Sequence, residues 1–248
     1  MRRESNIGLD ITFSITKSRD DRSLMQSVIS LFLVIVVTFL GYWMVLDERK
    51  HSQAIAYNQR GNALSELKRY DEAIEHYQQA IKIKSNFAEA YNNLANVLRQ
   101  TGKESTAYYN EAIRLKSDYA QAHSNLGIAL SEQGQLEEAI GQYQKALQIN
   151  PDLFRVHDSL AILLSQRGDF SGAISHYRQA ITLYPGFAKA HNNMGSTLAQ
   201  QGRFEKAMEH FERALKIDPN YIDARKNLEL AHSLAGKKVS APIRQEIR

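Results

Sequence analysis

The sequence repeats itself with a period of 34 residues, and this periodicity restricts the fold more than any other feature. The stretch from Ser124 to Pro151 returns 68 residues later as the stretch from Asn192 to Pro219. In the same phase the chain contains five full units and a final half unit, which begin at Ala54, Ala88, Ala120, Phe154, Ala188 and Ile222. A unit that recurs in this way buries its apolar face only against its neighbours, so the period predicts a stack of units.

Each unit has the pattern of two helices joined by a short turn. A small residue recurs in the first half, at Gly61, Ala95, Gly127, Ala161 and Gly195, and an aromatic residue in the second half, at Tyr77, Tyr109, Tyr143, Tyr177 and Phe211. The small residue lets the second helix approach the first, and the ring fills the gap beside it. Helix ends are expected at Gly134, Gly168 and Gly202 and before Pro151, Pro185 and Pro219.

This pattern resembles the tetratricopeptide repeat (TPR) family, whose 34-residue unit is a helix-turn-helix. The resemblance implies an all-α fold, a right-handed α-solenoid, with repeats at residues 54–87, 88–119, 120–153, 154–187 and 188–221. We expect a capping helix over residues 222–236, because Glu229 stands where full units have a small residue and could not be buried under a second helix. The second unit lacks two residues near Thr101 and has Ser105 where other units have Ala, which predicts a tighter turn.

A long uncharged segment precedes the repeats. The 24 residues from Ser23 to Leu46 carry no charge, and the segment ends with Tyr42 and Trp43. At about 1.5 Å per helical residue it spans the roughly 30 Å hydrocarbon core of a bilayer, and the aromatic residues suit the interface. We therefore predict one transmembrane helix over residues 23–46, between a tail at 1–22 and a juxtamembrane linker at 47–53. A cleaved signal peptide is the alternative, but the apolar run is longer than signal peptides require.

Three further expectations concern the ends of the chain. Lys and Arg are slightly more frequent before the apolar run than directly after it, which favours an extracytoplasmic repeat domain, with the cytoplasmic side as the alternative. Apolar residues alternate over residues 6–16, which predicts a strand that adds to a partner's sheet, with disorder as the alternative. Residues 237–248 form a short basic tail.

Composition excludes several classes of function. The chain has no Cys, so disulfides, thiolate metal sites and cysteine nucleophiles are excluded. Residues 54–221 carry 18 Lys and Arg against 18 Asp and Glu, which is not the charge distribution of a nucleic-acid-binding protein.

Histidines recur at the repeat spacing, at His123, His157 and His191 and at His76, His176 and His210. Equivalent residues of stacked units lie about 10 Å apart, too far to share a metal, so we expect these histidines to pack as aromatic residues do, and we expect no metal and no cofactor.

The first helices carry a recurring row of polar residues. In the TPR family this row lines the concave face, so the resemblance implies a binding site for a protein or an extended peptide. The residues that we predict to bind the partner are Asn58, Gln59, Asn92, Asn93, Asn125, Arg155, Lys189, Asn192, Asn193 and Asn227. Carboxamides donate and accept hydrogen bonds and so suit a peptide backbone. The alternative is that the asparagines only hold the repeats together.

These features predict a membrane-anchored adaptor that docks partner proteins on its repeats. Because the adaptor is anchored, we expect its partners to be membrane-associated and its function to lie in the assembly of a membrane complex. The alternative function is a substrate-recruiting subunit of an enzyme complex. Outside the anchor, the repeats and the cap, only two short tails remain, which are too small for a catalytic domain, so we expect no enzymatic activity of its own.

Overall fold

The computed structural model describes residues 19–240, with side chains described for residues 25–236, and over residues 19–240 it contains helices and turns but no strand. The helices are α1 (Arg19–Glu66), α2 (Tyr70–Ile83), α3 (Ala88–Gln100), α4 (Thr106–Leu115), α5 (Ala120–Glu132), α6 (Leu136–Ile149), α7 (Phe154–Gln166), α8 (Phe170–Leu183), α9 (Ala188–Gln200), α10 (Phe204–Ile217) and α11 (Ile222–Ser240). The chain divides into two compact units between Gln53 and Ala54. The strand predicted over residues 6–16 lies outside the described residues.

The first compact unit contains the apolar part of α1. Its large apolar side chains from Met25 to Leu46 are exposed except for the half-buried Val36, with Phe32 and Phe39 64% and 66% exposed. By length and composition alone, α1 is able to cross a membrane. Residues 47–53, which we predicted as a linker, are also helical, because neither Gly nor Pro interrupts them.

The second compact unit consists of five helix pairs and a last helix, as the repeat pattern predicted. Consecutive helices pack on each other, and the first helices of neighbouring repeats also meet, as α7 and α9 do. The turn inside a pair needs a left-handed backbone: φ is 77° at Gly134, 88° at Gly168 and 71° at Gly202. Repeat 1 has Lys68 at this position with φ 58°. A residue with a Cβ pays about 1–2 kcal/mol for that conformation, which Gly avoids.

Inside each pair, an aromatic ring of the second helix lies directly against a small residue of the first. A Cβ built at Gly127 would lie 2.7 Å from the Tyr143 ring, and one at Gly195 would lie 2.6 Å from the Phe211 ring. Both rings are buried, with 3% and 1% exposed. Because carbon atoms in van der Waals contact are about 3.5–4.0 Å apart, the helices could not approach so closely with a larger residue at these glycines.

The hydrophobic core differs between the two ends of the stack. A single cluster runs from Ala139 in repeat 3 to Ala231 in α11, whereas three smaller clusters cover repeats 1 and 2, the last of them extending into α5 of repeat 3. Helix α4 has 10 residues where α2 and α6 have 14. The two-residue deletion removes its first turn, and the buried side chain there is Ser105. The connection between α3 and α4, residues 101–105, is five residues long, whereas the corresponding connection of every other repeat has three. The tighter turn that we predicted is therefore wrong: the deletion shortens the helix and not the turn.

Helix α11 covers the end of the stack. Leu228 is partly buried against the long core cluster, whereas Glu229 is exposed, as expected for a helix that no further helix of the described residues covers. The helix continues to Ser240, beyond the boundary at residue 236 that we predicted. Gly236 does not end it, because one Gly in a helix costs only about 1 kcal/mol relative to Ala and no Pro follows before Pro242.

We expect Gly127→Val to destabilise the repeat domain by about 1–3 kcal/mol, because its side chain would overlap the buried Tyr143 ring. Gly141→Val is the matched control: Gly141 also lies in a helix of repeat 3, but nothing lies within 4 Å of its Cβ position. Urea unfolding followed by circular dichroism measures both variants. Equal midpoints for the two variants would contradict the close-packing interpretation.

Candidate functional site

The polar row of the first helices forms hydrogen bonds that cross the repeat boundaries. In each bond a carboxamide of one repeat donates to a side chain of the preceding repeat: Asn93 Nδ2 to Asn58 Oδ1 (3.2 Å), Asn125 Nδ2 to Asn92 Oδ1 (3.0 Å), Asn193 Nδ2 to Asp158 Oδ1 (3.0 Å) and Asn227 Nδ2 to Asn192 Oδ1 (2.9 Å). We call this set the carboxamide ladder. All four acceptor residues are buried. Buried polar groups require such partners, so the ladder contributes to the stacking of the repeats.

The remaining residues that we predicted for partner binding are exposed. Gln59, Arg155 and Lys189 lie on the same first helices as the ladder, and solvent reaches all three. Lys189 Nζ lies 4.0 Å from the buried Asp158 carboxylate. Burial raises the pKa of Asp158, and the hydrogen bond from Asn193 and the charge of Lys189 oppose that shift. The face formed by the first helices therefore offers these three side chains to a partner more readily than it offers the asparagines.

The ladder is interrupted between repeats 3 and 4. At this boundary Ser124 and Ser159 occupy the two positions that carry the hydrogen-bonded pair elsewhere. Their short side chains leave room for a pocket of about 290 Å³ between α5 and α7, which Ile128, Phe154 and Arg155 also line.

A second groove lies on the first helices of repeats 1 to 3. It has a volume of about 470 Å³, and most of its lining side chains are polar, among them Asn62, Asn96 and Arg99. Many of these groups already have partners within the chain. Tyr77 donates its hydroxyl to Asn62 at 2.8 Å, and Arg99 pairs with Glu132 at 2.7 Å. This groove therefore has fewer polar groups available for a ligand than its composition suggests.

The histidines of repeats 4 and 5 meet in pairs across the two helices of one repeat. The Nδ1 atoms of His157 and His176 are 2.9 Å apart, and those of His191 and His210 are 3.2 Å apart. His157 Nε2 lies 3.0 Å from the Pro151 carbonyl oxygen and donates to it. In neutral His157 the Nδ1 atom must then accept, so His176 donates from its Nδ1. The sequence interpretation considered only residues one repeat apart and missed this pairing of residues 19 positions apart.

Burial dominates the titration of these pairs. It lowers the pKa of His157, His176 and His191. The interaction with His157 adds to the effect at His176, where Asp169 opposes it, and the charge of Arg213 adds to the effect at His191. Burial, with the charges of His191, Arg213 and Arg178, lowers the pKa of His210 to about 4. Among the described residues, no group of three or more His, Cys, Asp or Glu side chains is placed to hold a metal ion.

Family models identify the repeats. The models described as "TPR repeat" and "Tetratricopeptide repeat" match residues 61–102, 86–152, 118–186 and 188–221, which together include most of the five helix pairs. The chain belongs to the tetratricopeptide repeat family. Among curated proteins, none matches it in sequence.

Solved TPR structures share this fold. The chain is 26% identical to YrrB, described as a TPR protein with an unusual peptide-binding site, at a TM-score of 0.62, with 76% of this chain and 97% of that chain covered. It is 22% identical to MamA, at a TM-score of 0.61, with 67% and 92% covered. A thermophilic TPR protein of Thermus thermophilus is 21% identical, at a TM-score of 0.56, with 73% and 99% covered. MamA and the Thermus protein are only 22% and 21% identical to this chain, so their likeness to it shows a shared fold alone.

The pocket residues Ile128 and Phe154 were absent from our sequence-based site. The signal was nevertheless present, because neither position carries the same residue in every repeat. Phe154 begins a repeat where the other four full repeats begin with Ala, and Ile128, like Ile162 of repeat 4, stands where repeats 1 and 2 have Asn62 and Asn96. The search for features that all repeats share selected the asparagines that hold the stack together. The pocket residues lie at positions where the residue changes from repeat to repeat.

We expect the repeat domain to lose stability as the pH falls below about 6.5, because the histidine pKa values are lowered in the folded state. The unfolded chain then binds protons that the folded chain does not bind, and the loss continues toward the folded pKa, about 4 for His210. The variant His176→Gln/His210→Gln carries the residue of repeat 3, where Gln142 faces His123. Urea midpoints at about pH 7 and 5 should differ less in this variant than in the wild type. An equal difference would show that the pairs do not cause the pH dependence.

Proposed function

We propose that this chain is a membrane-anchored adaptor that docks a partner protein, through an extended segment, on the first-helix face of its TPR domain. The observation that carries the proposal is the exposure of Gln59, Arg155 and Lys189 along a face whose asparagines are hydrogen-bonded from one repeat to the next. We propose no catalytic activity for the chain itself.

The fold supports docking because stacked first helices present one continuous row of positions to a ligand. YrrB, which is described as having a peptide-binding site, has the same fold over 97% of its length. The chemistry of the row also suits a polypeptide ligand. A carboxamide and two cations, spaced along the stack, offer hydrogen bonds to a backbone and ion pairs to acidic side chains.

Membrane anchoring is the second part of the proposal. It is supported by the exposed apolar side chains between Met25 and Leu46, which form a larger continuous apolar patch than soluble monomers usually expose to water. The Tyr42 and Trp43 pair near the end of the segment suits the bilayer interface. The distribution of Lys and Arg favours an extracytoplasmic repeat domain, so the partner would be docked on that side of the membrane. The anchor suggests that this partner belongs to a membrane complex during its assembly.

The adaptor function is tested by purifying the full chain in detergent and identifying the proteins that co-purify. We expect Gln59→Ala/Arg155→Ala/Lys189→Ala to weaken the binding of such a partner by about tenfold or more, because truncation removes several polar contacts on one face. The matched control is Gln179→Ala/Arg178→Ala/Lys145→Ala, which truncates the same residue types at exposed positions of second helices. Equal losses in the two variants, or no partner at all, would contradict docking on the first-helix face.

We expect deletion of residues 23–46 to release the protein from membranes into the soluble fraction, because the deletion removes every residue of the uncharged segment. Sedimentation of membranes at high salt, followed by immunoblotting of the pellet and the supernatant, measures the release. High salt suppresses attachment through surface charge. If the deleted protein still sediments under these conditions, this segment is not the anchor.

A further inference from the structure

We propose that the pocket between repeats 3 and 4 binds one bulky apolar side chain of an extended peptide, and that Arg155 pairs with a carboxylate of the same peptide. The inference rests on the proposed docking function and names the chemistry of the ligand. It assigns the recognition to one boundary of the stack, in which the repeats differ from the regular pattern.

The first observation is the interruption of the carboxamide ladder. At the other four boundaries a side chain of one repeat receives a hydrogen bond from an asparagine of the next, and this pair links the two first helices. Ser124 and Ser159 replace the pair between repeats 3 and 4, where the pocket of about 290 Å³ lies. This volume is at the lower limit of small-molecule sites, so it suits a single side chain better than a cofactor.

The second observation is the wall that Phe154 forms. Its ring lies 5.0 Å from the Tyr184 ring and 5.1 Å from the Phe187 ring, centroid to centroid, with the Phe187 contact edge-to-face. Aromatic pairs at these distances stabilise each other. The ring is therefore held in place before a ligand arrives, and a preorganised apolar wall lowers the cost of binding. The other four full repeats have Ala at this position and offer no such wall.

The third observation is that one residue position of the first helices is polar in repeats 1 and 2 but apolar in repeat 3. Asn62 and Asn96 hold this position in repeats 1 and 2, and each accepts a hydrogen bond from a buried tyrosine, at 2.8 and 2.7 Å. In repeat 3 the position is Ile128, which is half-buried and lines the pocket. A ligand side chain in contact with Ile128 and Phe154 would leave water for an apolar surface on two sides.

The positive charge of Arg155 indicates that the ligand also carries an acidic group. Among the described residues, no carboxylate forms an ion pair with Arg155, and its guanidinium lies 5.3 Å from the centre of the Phe154 ring. Asp152 lines the same pocket, so an acidic group of the ligand is expected on the side away from it, toward Lys189 of the next repeat. The preferred ligand is therefore an apolar residue with Asp or Glu close to it in sequence.

The test uses a phage-displayed library of random dodecapeptides, selected on the full chain immobilised in detergent. We expect the enriched peptides to share a Leu, Met or aromatic residue with an Asp or Glu near it. One enriched peptide, labelled with fluorescein, is then titrated against purified variants by fluorescence anisotropy.

Three variants separate the contributions. Phe154→Ala restores the residue that the other full repeats have, so the fold should persist, and we expect it to weaken the peptide by about tenfold or more. Ile128→Asn introduces the residue of repeats 1 and 2, and we expect a loss of about fivefold or more. Arg155→Gln should weaken binding by about two- to fivefold and reduce its salt dependence, as expected for an exposed ion pair. Arg178→Gln, the same change at an exposed position of α8, should have no effect.

Circular dichroism confirms that each variant is folded, and Phe154→Ala decides the result if Ile128→Asn unfolds. The proposal is overturned if no peptide is enriched, if the enriched peptides lack the apolar and acidic residues, or if folded Phe154→Ala binds within about twofold of the wild type. A partner whose co-purification is weakened by Gln59→Ala/Lys189→Ala, with Arg155 left in place, supports the adaptor function whatever these results are. The failure of this inference is thus distinguishable from the failure of the adaptor function.

Discussion

The close contact between a small residue and an aromatic ring in each repeat is the interaction on which the rest of the TPR domain depends. Gly127 and Gly195 allow the second helix to approach so closely that a Cβ would overlap the rings of Tyr143 and Phe211. This distance fixes the geometry of one helix pair, and pairs of similar geometry then stack with a regular spacing. The regular row of positions on the first helices, and with it the docking surface, follows from that spacing.

The polar side chains of the first helices divide into two groups with different roles. Asn58, Asn92 and Asn192 are buried and accept bonds from the following repeat, and a buried group of this kind is costly to leave without its partner. Arg155 and Lys189 are exposed on the same helices. The ligand therefore has to be recognised by residues that the stack does not need for its own cohesion. That condition favours the positions at which one repeat differs from the others.

The periodic features could be predicted from the sequence, and the irregular ones could not. A period of 34 with a small residue, a ring and a turn glycine in fixed phase is enough to give all the helix pairs, because each of these residues has one local structural role. The pairing of His157 with His176 was missed because residues 19 apart meet only once the angle between the helices is set. The role of the ladder was undecidable from the pattern alone. An asparagine row serves a ligand or the neighbouring repeat equally well until the bond from Asn125 to Asn92 is seen.

The short helix α4 also affects how the domain opens. In a linear stack, each repeat is held by its own packing and by the interfaces with its two neighbours, so local stability follows the core along the chain. The continuous cluster from repeat 3 to α11 unites the carboxyl-terminal repeats, whereas the packing of repeats 1 and 2 is divided among three smaller clusters and includes the helix that has lost a turn. Backbone amides of α2, α3 and α4 should accordingly exchange with deuterium through partial opening events, while those of α7 to α10 exchange only when the whole carboxyl-terminal block unfolds. Repeats 1 and 2 would then be the adjustable part of the domain, and the binding pocket between repeats 3 and 4 would lie at the start of its rigid part.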